Sequence, residues 1–175
     1  RLLFFVSPLV EAVGDFSAGT GPHTLPLSGH AVSTAICYEI IYPELVRALV
    51  TKGSHLLTTI TNDAWYGRSA APYQHFQQAT MRAIEQGRYL VRAANTGISG
   101  VIDPYGRVMV STPLFETHVI TADVRLLEDF TLYARVGDVV AYACGVITCA
   151  VLWVTGRRRR GGPIQGMEES YDSSS

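Results

Sequence analysis

The chain has 175 residues, of which 47% are hydrophobic, and its formal net charge is −1 at pH 7. This length suffices for one domain with a hydrophobic core, and the near-zero charge argues against a nucleic-acid-binding protein. The three cysteines, Cys37, Cys144 and Cys149, are an odd number at spacings that suit neither a disulfide framework nor a zinc site.

The first predicted elements lie between residues 31 and 61. Residues 31–37 (AVSTAIC) form a short apolar run that suits a strand. Pro43 fits the first position of a helix, which we expect to run to about Val50 and to stop at Gly53. Residues 55–61 (HLLTTIT) are apolar and β-branched and predict a second strand. The order strand, helix, strand indicates a layered α/β domain.

A longer helix and a hairpin follow. Pro72 begins a helical pattern that Gly87 ends or weakens, and apolar residues recur at helical spacing at Tyr73, Phe76, Ala79, Ala83 and Ile84. Residues 103–106 (DPYG) predict a turn between two short strands within residues 101–110. Residues 119–124 are a further strand candidate.

Residues 139–155 (VVAYACGVITCAVLWVT) carry no charged side chain and are followed closely by four arginines at positions 157–160. Their length is at the lower end of the roughly 17 to 25 residues of a membrane span, and Val136 and Gly137 are candidates to extend the helix. The alternative is a buried helix of a soluble core, which is rarely followed by four consecutive arginines. The positive-inside rule predicts that the arginines are cytoplasmic and that the preceding domain lies across the membrane. We expect residues 161–175 to be disordered.

Cys37 is the first candidate for chemistry, because it stands at the end of a predicted strand and shortly before a helix. A sharp turn there exposes a nucleophile and leaves backbone N–H groups free to bind an oxyanion. A thiol also needs a base or a cation nearby, and Glu39 is two residues away. The alternative is that Cys37 is a small buried hydrophobic residue, which is the usual role of free cysteine.

Two further groups give weaker indications. Residues 62–67 (NDAWYG) follow a predicted strand and suit either a site-lining loop or an ordinary turn. Arg82, Glu85, Arg88 and Arg92 stand at helical spacing, for which a solvated or ion-paired helix face is the favoured interpretation.

Several blocks, in order, resemble the apolipoprotein N-acyltransferase family. Residues 35–44 (AICYEIIYPE) are similar to the segment that carries the nucleophile in this family. The other similar blocks are residues 61–67 (TNDAWYG), 73–79 (YQHFQQA) with Met81, Arg82, Ala83 and Glu85, 92–99 (RAANTGIS) and 132–138 (LYARVGD). The resemblance extends from about Phe16 to Arg160.

The resemblance implies part of a nitrilase-like α-β-β-α sandwich in residues 1–130, a transmembrane helix in residues 139–155, and a basic, then disordered cytoplasmic tail in residues 156–175. It implies a Glu-Lys-Cys triad with Cys37 as nucleophile, and neither a metal nor a cofactor. In the family the Glu and Lys precede the nucleophile block, whereas Lys52, the only lysine here, follows Cys37. Since the chain begins with Arg1 rather than methionine, we expect a fragment or processed product. Because no Glu and Lys of the triad are assigned before Cys37, we expect this chain to be inactive alone.

The implied reaction transfers an acyl chain from a phospholipid, through a Cys37 thioester, to the diacylglyceryl-cysteine of an apolipoprotein. The Tyr38 backbone N–H is a candidate oxyanion donor, and Glu39, Asn62 and Trp65 are candidate pocket residues. The implied location is the bacterial inner membrane, with the catalytic domain in the periplasm. Two alternatives remain: a soluble nitrilase-superfamily amidase and a non-enzymatic membrane-anchored remnant.

Overall fold

The structure is a computed structural model, and it describes residues 19–160. In chain order the strands and helices are β1 (Leu25–Leu27), β2 (His30–Ile36), the 3₁₀ helix η1 (Cys37–Ile41), α1 (Pro43–Thr51), β3 (Leu56–Asn62), the 3₁₀ helix η2 (Ala64–Tyr66), α2 (Ala71–Gln86), β4 (Leu90–Asn95), β5 (Gly100–Ile102), β6 (Val108–Ser111), α3 (Leu132–Val136) and α4 (Val139–Arg160). The chain divides into two units, residues 1–137 and residues 138–175.

The first unit is built on one mixed sheet of six strands in the order β1 to β6. The central strands β2, β3 and β4 are parallel, and the outer strands pair antiparallel. The helices α1 and α2 each connect two neighbouring parallel strands. Because such crossovers are right-handed and both proceed in the same direction across the sheet, α1 and α2 cover the same face.

The hydrophobic core lies between that covered face and the helices. Leu57 of β3 and Leu90 of β4 stand side by side in register, and both are buried against residues of α1 and α2 such as Val46 and Phe76. The opposite face is more open: Ile36 is 58% exposed and Ile60 is 50% exposed. The alternation follows from the two-residue period of a strand, which sends successive side chains to opposite faces.

The predicted strands near residues 31–37 and 55–61, the helix from Pro43, the long helix ended by Gly87 and the hairpin around residues 103–106 are confirmed within a few residues. Gly87 adopts a left-handed conformation (φ 61°) at the end of α2, a position that glycine occupies without steric cost. The strands β1 and β4 and the helix α3 were not predicted.

The predicted strand over residues 119–124 is wrong, because these residues form no strand and Val119 is 94% exposed. The segment does not pair with β6; it returns across the unit, where the Leu127 N–H donates to the His55 carbonyl at 3.3 Å. A strand needs a neighbouring strand to satisfy its backbone groups, and this path meets none among residues 19–160.

The predicted arginine-rich helix face is also wrong in part. Arg82 does pair with Glu85 at 2.8 Å, but α2 ends before Arg88 and Arg92, and both of these are almost fully buried. The Arg88 guanidinium donates to the carbonyls of Ser54, Gly87, Glu128 and Asp129. Tyr73 and Ile84, predicted to be on the apolar face of α2, are 56% and 41% exposed, because the packed face of the helix runs through Phe76, Ala79 and Ala83.

The second unit contains α4. Within it, Val139–Arg157 is long and apolar enough to cross a membrane, with a mean hydropathy of 2.0 and no burial inside the structure. The expected extension through Val136 and Gly137 is wrong, since Gly137 (φ 63°, ψ −141°) ends α3, and the helix instead continues to Arg160. Residues 161–175, for which disorder was predicted, lie outside the described residues.

Candidate active site

Cys37 stands at a sharp turn where β2 ends and η1 begins. Its backbone is left-handed (φ 53°), a conformation that costs energy for a residue with a side chain and that recurs at functional sites. The Glu39 carboxylate accepts a hydrogen bond from the Ile36 N–H at 2.7 Å, across the turn. The first N–H groups of a helix have no acceptor within it, so the Tyr38 N–H at the start of η1 is suited to bind an oxyanion.

The sulfur of Cys37 lies beside a hydroxyl. The Thr61 Oγ1 atom, from β3, is 3.4 Å from Cys37 Sγ and 3.0 Å from Asp63 Oδ1. Because β2 and β3 are parallel and adjacent, their carboxyl ends meet at one edge of the sheet. This register brings Thr61 to Cys37.

Asp63 and Arg92 form a buried ion pair behind Cys37. Arg92 Nη2 donates to Asp63 Oδ2 at 2.8 Å, and the two residues are 2% and 1% exposed. Burial raises the pKa of Asp63, but the hydrogen bond with His75, the charge of Arg92 and the hydrogen bond from Thr61 together hold this pKa below its ordinary value. Asp63 is therefore a structural carboxylate at neutral pH.

His75, from α2, connects this ion pair to Cys37. Its Nδ1 lies 3.1 Å from Asp63 Oδ1 and 3.2 Å from Arg92 Nη2, and its Nε2 lies 3.3 Å from the Cys37 carbonyl oxygen. A carbonyl oxygen only accepts hydrogen bonds, so in this contact Nε2 is the donor and the Cys37 carbonyl oxygen is the acceptor. The ring is 3% exposed.

The remaining predicted site residues also lie at or near the carboxyl edge of the sheet. Tyr38 is half exposed, with its ring 6.2 Å from that of His75. Asn62 Oδ1 accepts from the Ala64 N–H at 3.1 Å and from Asn95 Nδ2 at 3.2 Å. Trp65, in η2, is 85% exposed. The Asn62 side chain is thus fixed by hydrogen bonds, whereas the Trp65 side chain is exposed.

Tyr66 was not singled out from the sequence. Its ring packs edge-on against that of His75 at 6.0 Å. Burial raises the pKa of Tyr66, and the nearby Asp63 and Cys37 raise it further, so its hydroxyl is protonated at neutral pH.

Sequence reasoning also missed Thr61, His75 and Arg92 as parts of the site, although all three stand in the family-like blocks. The order of strands and helices could have indicated these residues. Thr61 and Arg92 stand on strands that were separated by one helix, and polar residues at or near the carboxyl ends of neighbouring parallel strands converge. β4 itself was not predicted, so Arg92 was assigned to a helix face.

A pocket of about 280 Å³ adjoins the carboxyl end of β4. Its lining includes Asn95, Thr96, Ser99, Thr112 and Phe115. The side chains are mostly hydroxyl or amide groups, which suit a polar ligand group better than an acyl chain.

At the opposite edge of the sheet, His30, His55 and Glu128 place possible metal-ligating atoms within 4.8 Å of one another. The His55 Nδ1 atom accepts a hydrogen bond from the Ala31 N–H at 3.0 Å. A neutral imidazole that accepts at Nδ1 carries its proton on Nε2, which leaves no free nitrogen lone pair for a metal. The arrangement therefore gives no reason to assign a metal site.

A cysteine in a left-handed turn after a parallel strand, with a buried polar cluster beside it, is an arrangement that suits a thiol nucleophile in an α/β enzyme. The family model for carbon-nitrogen hydrolases matches residues 2–128, and the chain belongs to this family. The mixed sheet with its helices agrees with the expected nitrilase-like fold.

Named relatives and solved structures extend the comparison. The chain is 48% identical over 160 residues to an apolipoprotein N-acyltransferase of Geobacter metallireducens, covering 91% of this chain and 30% of the relative. It is 45% identical over 132 residues to one of Shewanella oneidensis, covering 75% and 25%. An amidase from Nesterenkonia sp. is 24% identical with a TM-score of 0.48, covering 59% of this chain and 41% of the amidase. The chain thus spans less than a third of the length of the two acyltransferase relatives.

Proposed function

We propose that this chain carries the nucleophile of an apolipoprotein N-acyltransferase, and that Cys37 forms a thioester with an acyl chain taken from a phospholipid. The observation that carries the proposal is the 48% identity, over 91% of the chain, to a relative of that name. The left-handed turn at Cys37 supports it independently, because such a turn presents a nucleophile above backbone donors.

In the first step, the Cys37 thiolate attacks the carbonyl carbon of a phospholipid ester. A tetrahedral oxyanion forms, for which the Tyr38 N–H is the donor that this chain offers. The intermediate collapses, the ester C–O bond breaks, and the leaving lysophospholipid alkoxide takes up the proton that the Cys37 thiol gave to a general base on ionising. The acyl chain then remains on Cys37 as a thioester.

In the second step, the α-amine of a diacylglyceryl-cysteine attacks the thioester carbonyl. The C–S bond breaks, an amide forms, and the amine proton is lost to a base. Splitting one transfer into two steps through a good leaving group lowers the barrier of each. The acceptor is the N-terminus of an apolipoprotein.

The roles proposed for neighbouring residues follow from their contacts. Glu39 holds the turn through its hydrogen bond to Ile36. Asn62 is proposed to shape the pocket by accepting a hydrogen bond from Asn95, which is one of the lining residues. Trp65, three residues after Asn62, is 85% exposed, which suits a contact with lipid. Lys52 follows α1 and precedes β3, which places it at the edge of the sheet opposite to Cys37. A triad lysine is therefore not assigned within the described residues.

The membrane placement is also proposed. Val139–Arg157 has the length and hydropathy of a span, and aromatic residues stand toward both of its ends, at Tyr142 and Trp153. The Arg157 guanidinium lies 4.5 Å from the centre of the Trp153 ring, an arrangement suited to the headgroup region. We expect this helix to cross the bacterial inner membrane, with the arginines cytoplasmic and Cys37 on the periplasmic side.

The deciding experiment is acyl transfer by the complete protein with Cys37→Ala, measured with phospholipid vesicles and a diacylglyceryl-lipopeptide. We expect complete loss of product and of the Cys37-bound acyl adduct seen by peptide mass spectrometry. Cys149→Ala is the matched control and is expected to keep wild-type activity. Acyl transfer by Cys37→Ala at the wild-type rate would refute the proposal, and hydrolysis of small amides without acyl transfer would favour the soluble amidase.

A further inference from the structure

Four polar side chains near Cys37 take no part in the two steps of the proposed acyl transfer. They form what we call the support cluster, which consists of Thr61, Asp63, His75 and Arg92. Thr61 is 9% exposed and the other three are at most 3% exposed. Burying such groups costs free energy unless they are hydrogen-bonded, and two of the contacts of this cluster are to Cys37 itself.

We propose that Thr61 donates a hydrogen bond to the Cys37 sulfur when the sulfur is ionised, and that Asp63, His75 and Arg92 are positioning residues that hold Thr61 and the Cys37 backbone in place for this. The inference rests on the proposed function, in which the Cys37 thiolate is the nucleophile.

The first step of the argument is that Thr61 has one hydroxyl hydrogen and two possible acceptors. Asp63 Oδ1 is 3.0 Å away and Cys37 Sγ is 3.4 Å away. While Cys37 is a neutral thiol, the hydroxyl donates to the carboxylate, which is the nearer and charged acceptor. Once the sulfur carries a negative charge, it becomes a strong acceptor, and rotation about the Cβ–Oγ1 bond redirects the same hydrogen to it.

The second step is that Asp63 can release this hydrogen bond without being left unpaired. Arg92 Nη2 donates to its Oδ2 at 2.8 Å, so the carboxylate keeps its charge partner. The positive charge of Arg92 also offsets the carboxylate, which would otherwise repel a thiolate on the far side of Thr61. Arg92 is fixed in turn by donating from Nε to the Ile98 carbonyl at 3.1 Å.

The third step concerns the backbone of Cys37. Its left-handed conformation (φ 53°) persists only where surrounding contacts enforce it. His75 and Arg82 of α2 supply two of these contacts, one at each end of η1. His75 Nε2 donates to the Cys37 carbonyl at 3.3 Å, and Arg82 Nη1 donates to the Ile41 carbonyl at 3.0 Å. Both side chains stand on one face of α2, because they are seven residues apart.

The test measures the alkylation rate of Cys37 by iodoacetamide as a function of pH, in the complete protein in detergent, with the Cys37 peptide followed by mass spectrometry. Thr61→Val removes the hydroxyl and preserves the shape. We expect the midpoint of the alkylation profile to move up by about one pH unit, which corresponds to a tenfold lower thiolate fraction at a given pH below the midpoint. Thr61→Ser should restore the wild-type midpoint.

The matched control is Thr59→Val on the same strand. Thr59 is fully buried, and its hydroxyl has no hydrogen-bond partner among residues 19–160. Its replacement should leave the alkylation midpoint unchanged. An equal shift in Thr59→Val and Thr61→Val would show a general packing effect and would overturn the role of Thr61.

The positioning role of His75 is tested by two amide variants. His75→Gln keeps a donor near the place of Nε2, whereas His75→Asn keeps one only near the place of Nδ1. We expect His75→Asn to lower the kcat of acyl transfer about 100-fold with little change in KM, as for a displaced reacting group. His75→Gln should retain at least tenfold more activity than His75→Asn, and equal activity of the two would contradict the contact to the Cys37 carbonyl.

The outcomes separate this inference from the proposed function. If Cys37→Ala abolishes acyl transfer but the Thr61→Val alkylation profile matches that of the wild type, the proposed function stands and the role of Thr61 is wrong. If Cys37→Ala retains acyl transfer, the proposed function fails, and with it the catalytic meaning of the support cluster. A shifted profile in Thr61→Val alone, restored by Thr61→Ser, supports the inference.

Discussion

The segment around Cys37 and the helix α4 place charged side chains in opposite ways. Behind Cys37, the carboxylate of Asp63 and the guanidinium of Arg92 are almost fully buried and face each other at 2.8 Å. In α4, by contrast, no charged side chain occurs before Arg157. A buried charge pair is weak evidence for stability, so our hypothesis is that this pair beside Cys37 serves to fix the geometry of the site. The helix α4, by contrast, needs only a sufficient length of apolar side chains to cross a membrane.

The largest effect is expected from breaking the buried pair. Asp63→Asn leaves the guanidinium of Arg92 without a compensating charge, and we expect a loss of about 3–5 kcal/mol in the free energy of unfolding, measured by denaturant unfolding in detergent.

Asp103→Asn is the matched control. Asp103 is also buried, but its ionic partner Arg107 is 75% exposed, so water can solvate the guanidinium that is left. We expect a loss of about 1–2 kcal/mol. Equal losses in the two variants would show that burial of the cation makes no difference.

The second prediction breaks the opposite pattern by adding a charge to α4. Val146→Arg places a cation near the middle of the apolar segment, at a cost of about 2.5–3.5 kcal/mol on insertion scales. We expect the 175-residue chain carrying Val146→Arg to move from the membrane fraction into the carbonate extract.

The control carries the same substitution in the first unit. Val119 is 94% exposed, so Val119→Arg should leave membrane retention unchanged. Orientation is checked in the complete protein by a reporter that is active only in the cytoplasm, fused after Arg160. A silent reporter, or a wild-type chain that carbonate extracts, would contradict the membrane placement.

The third prediction tests how closely the chain packs against Asp63. A Cβ added at Gly97 would lie 2.3 Å from Asp63 Oδ2 and 2.7 Å from Asp63 Cβ, which is far inside contact distance. We expect Gly97→Ala to cost about 1–3 kcal/mol of unfolding free energy by overpacking, and to slow Cys37 alkylation because Asp63 must shift.

Gly19→Ala is the control, because nothing described lies within 4 Å of the added carbon. It should change neither the stability nor the alkylation rate. Wild-type behaviour of Gly97→Ala would mean that the loop around Gly97 moves aside at little cost.

These contrasts also explain what could be predicted from the sequence. The central elements were predictable because their indications are local: Pro43 and Pro72 near helix starts, Gly87 at a helix end, and β-branched residues in β3. The strand β4 was not predictable in this way, because the spacing of Arg92 from Arg82, Glu85 and Arg88 is typical of a polar helix face. Only a buried partner of Arg92 indicates otherwise. That partner, Asp63, stands 29 residues earlier, and no local pattern connects the two.

The position of Cys37 at a strand end was predictable and its surroundings only partly so, while its role as nucleophile stays a prediction. Cys37 follows a strand and stands in a family-like block, so its position was indicated twice. His75 was not, because in the sequence it is one polar residue between Tyr73 and Phe76 in a helical pattern. Its role depends on the direction in which α2 crosses the sheet, which is set by tertiary packing rather than by local sequence.

The smallest expected effect is a pH dependence that distinguishes Asp63 from an ordinary carboxylate. Burial raises the pKa of Asp63, but His75, Arg92 and Thr61 lower it more, so that the folded-state pKa lies below the ordinary value of 3.8. Between the folded and unfolded pKa values, the unfolded state binds more protons, and stability therefore rises with pH. The contribution is fully present above pH 3.8 and is lost as pH falls through the folded pKa. We expect the unfolding free energy of the wild type to fall more steeply below about pH 4 than that of Asp63→Asn.

Part of this pH dependence should remain in the Asp63→Asn variant. Burial raises the pKa of Asp103 as well, but hydrogen bonds from Arg107 and Tyr105 hold this pKa below its ordinary value, so that Asp103 contributes with the same sign. Adding Asp103→Asn should flatten the profile further, whereas an unchanged slope in Asp63→Asn would show that the charge of Arg92 does not reach Asp63 in solution as the 2.8 Å contact requires.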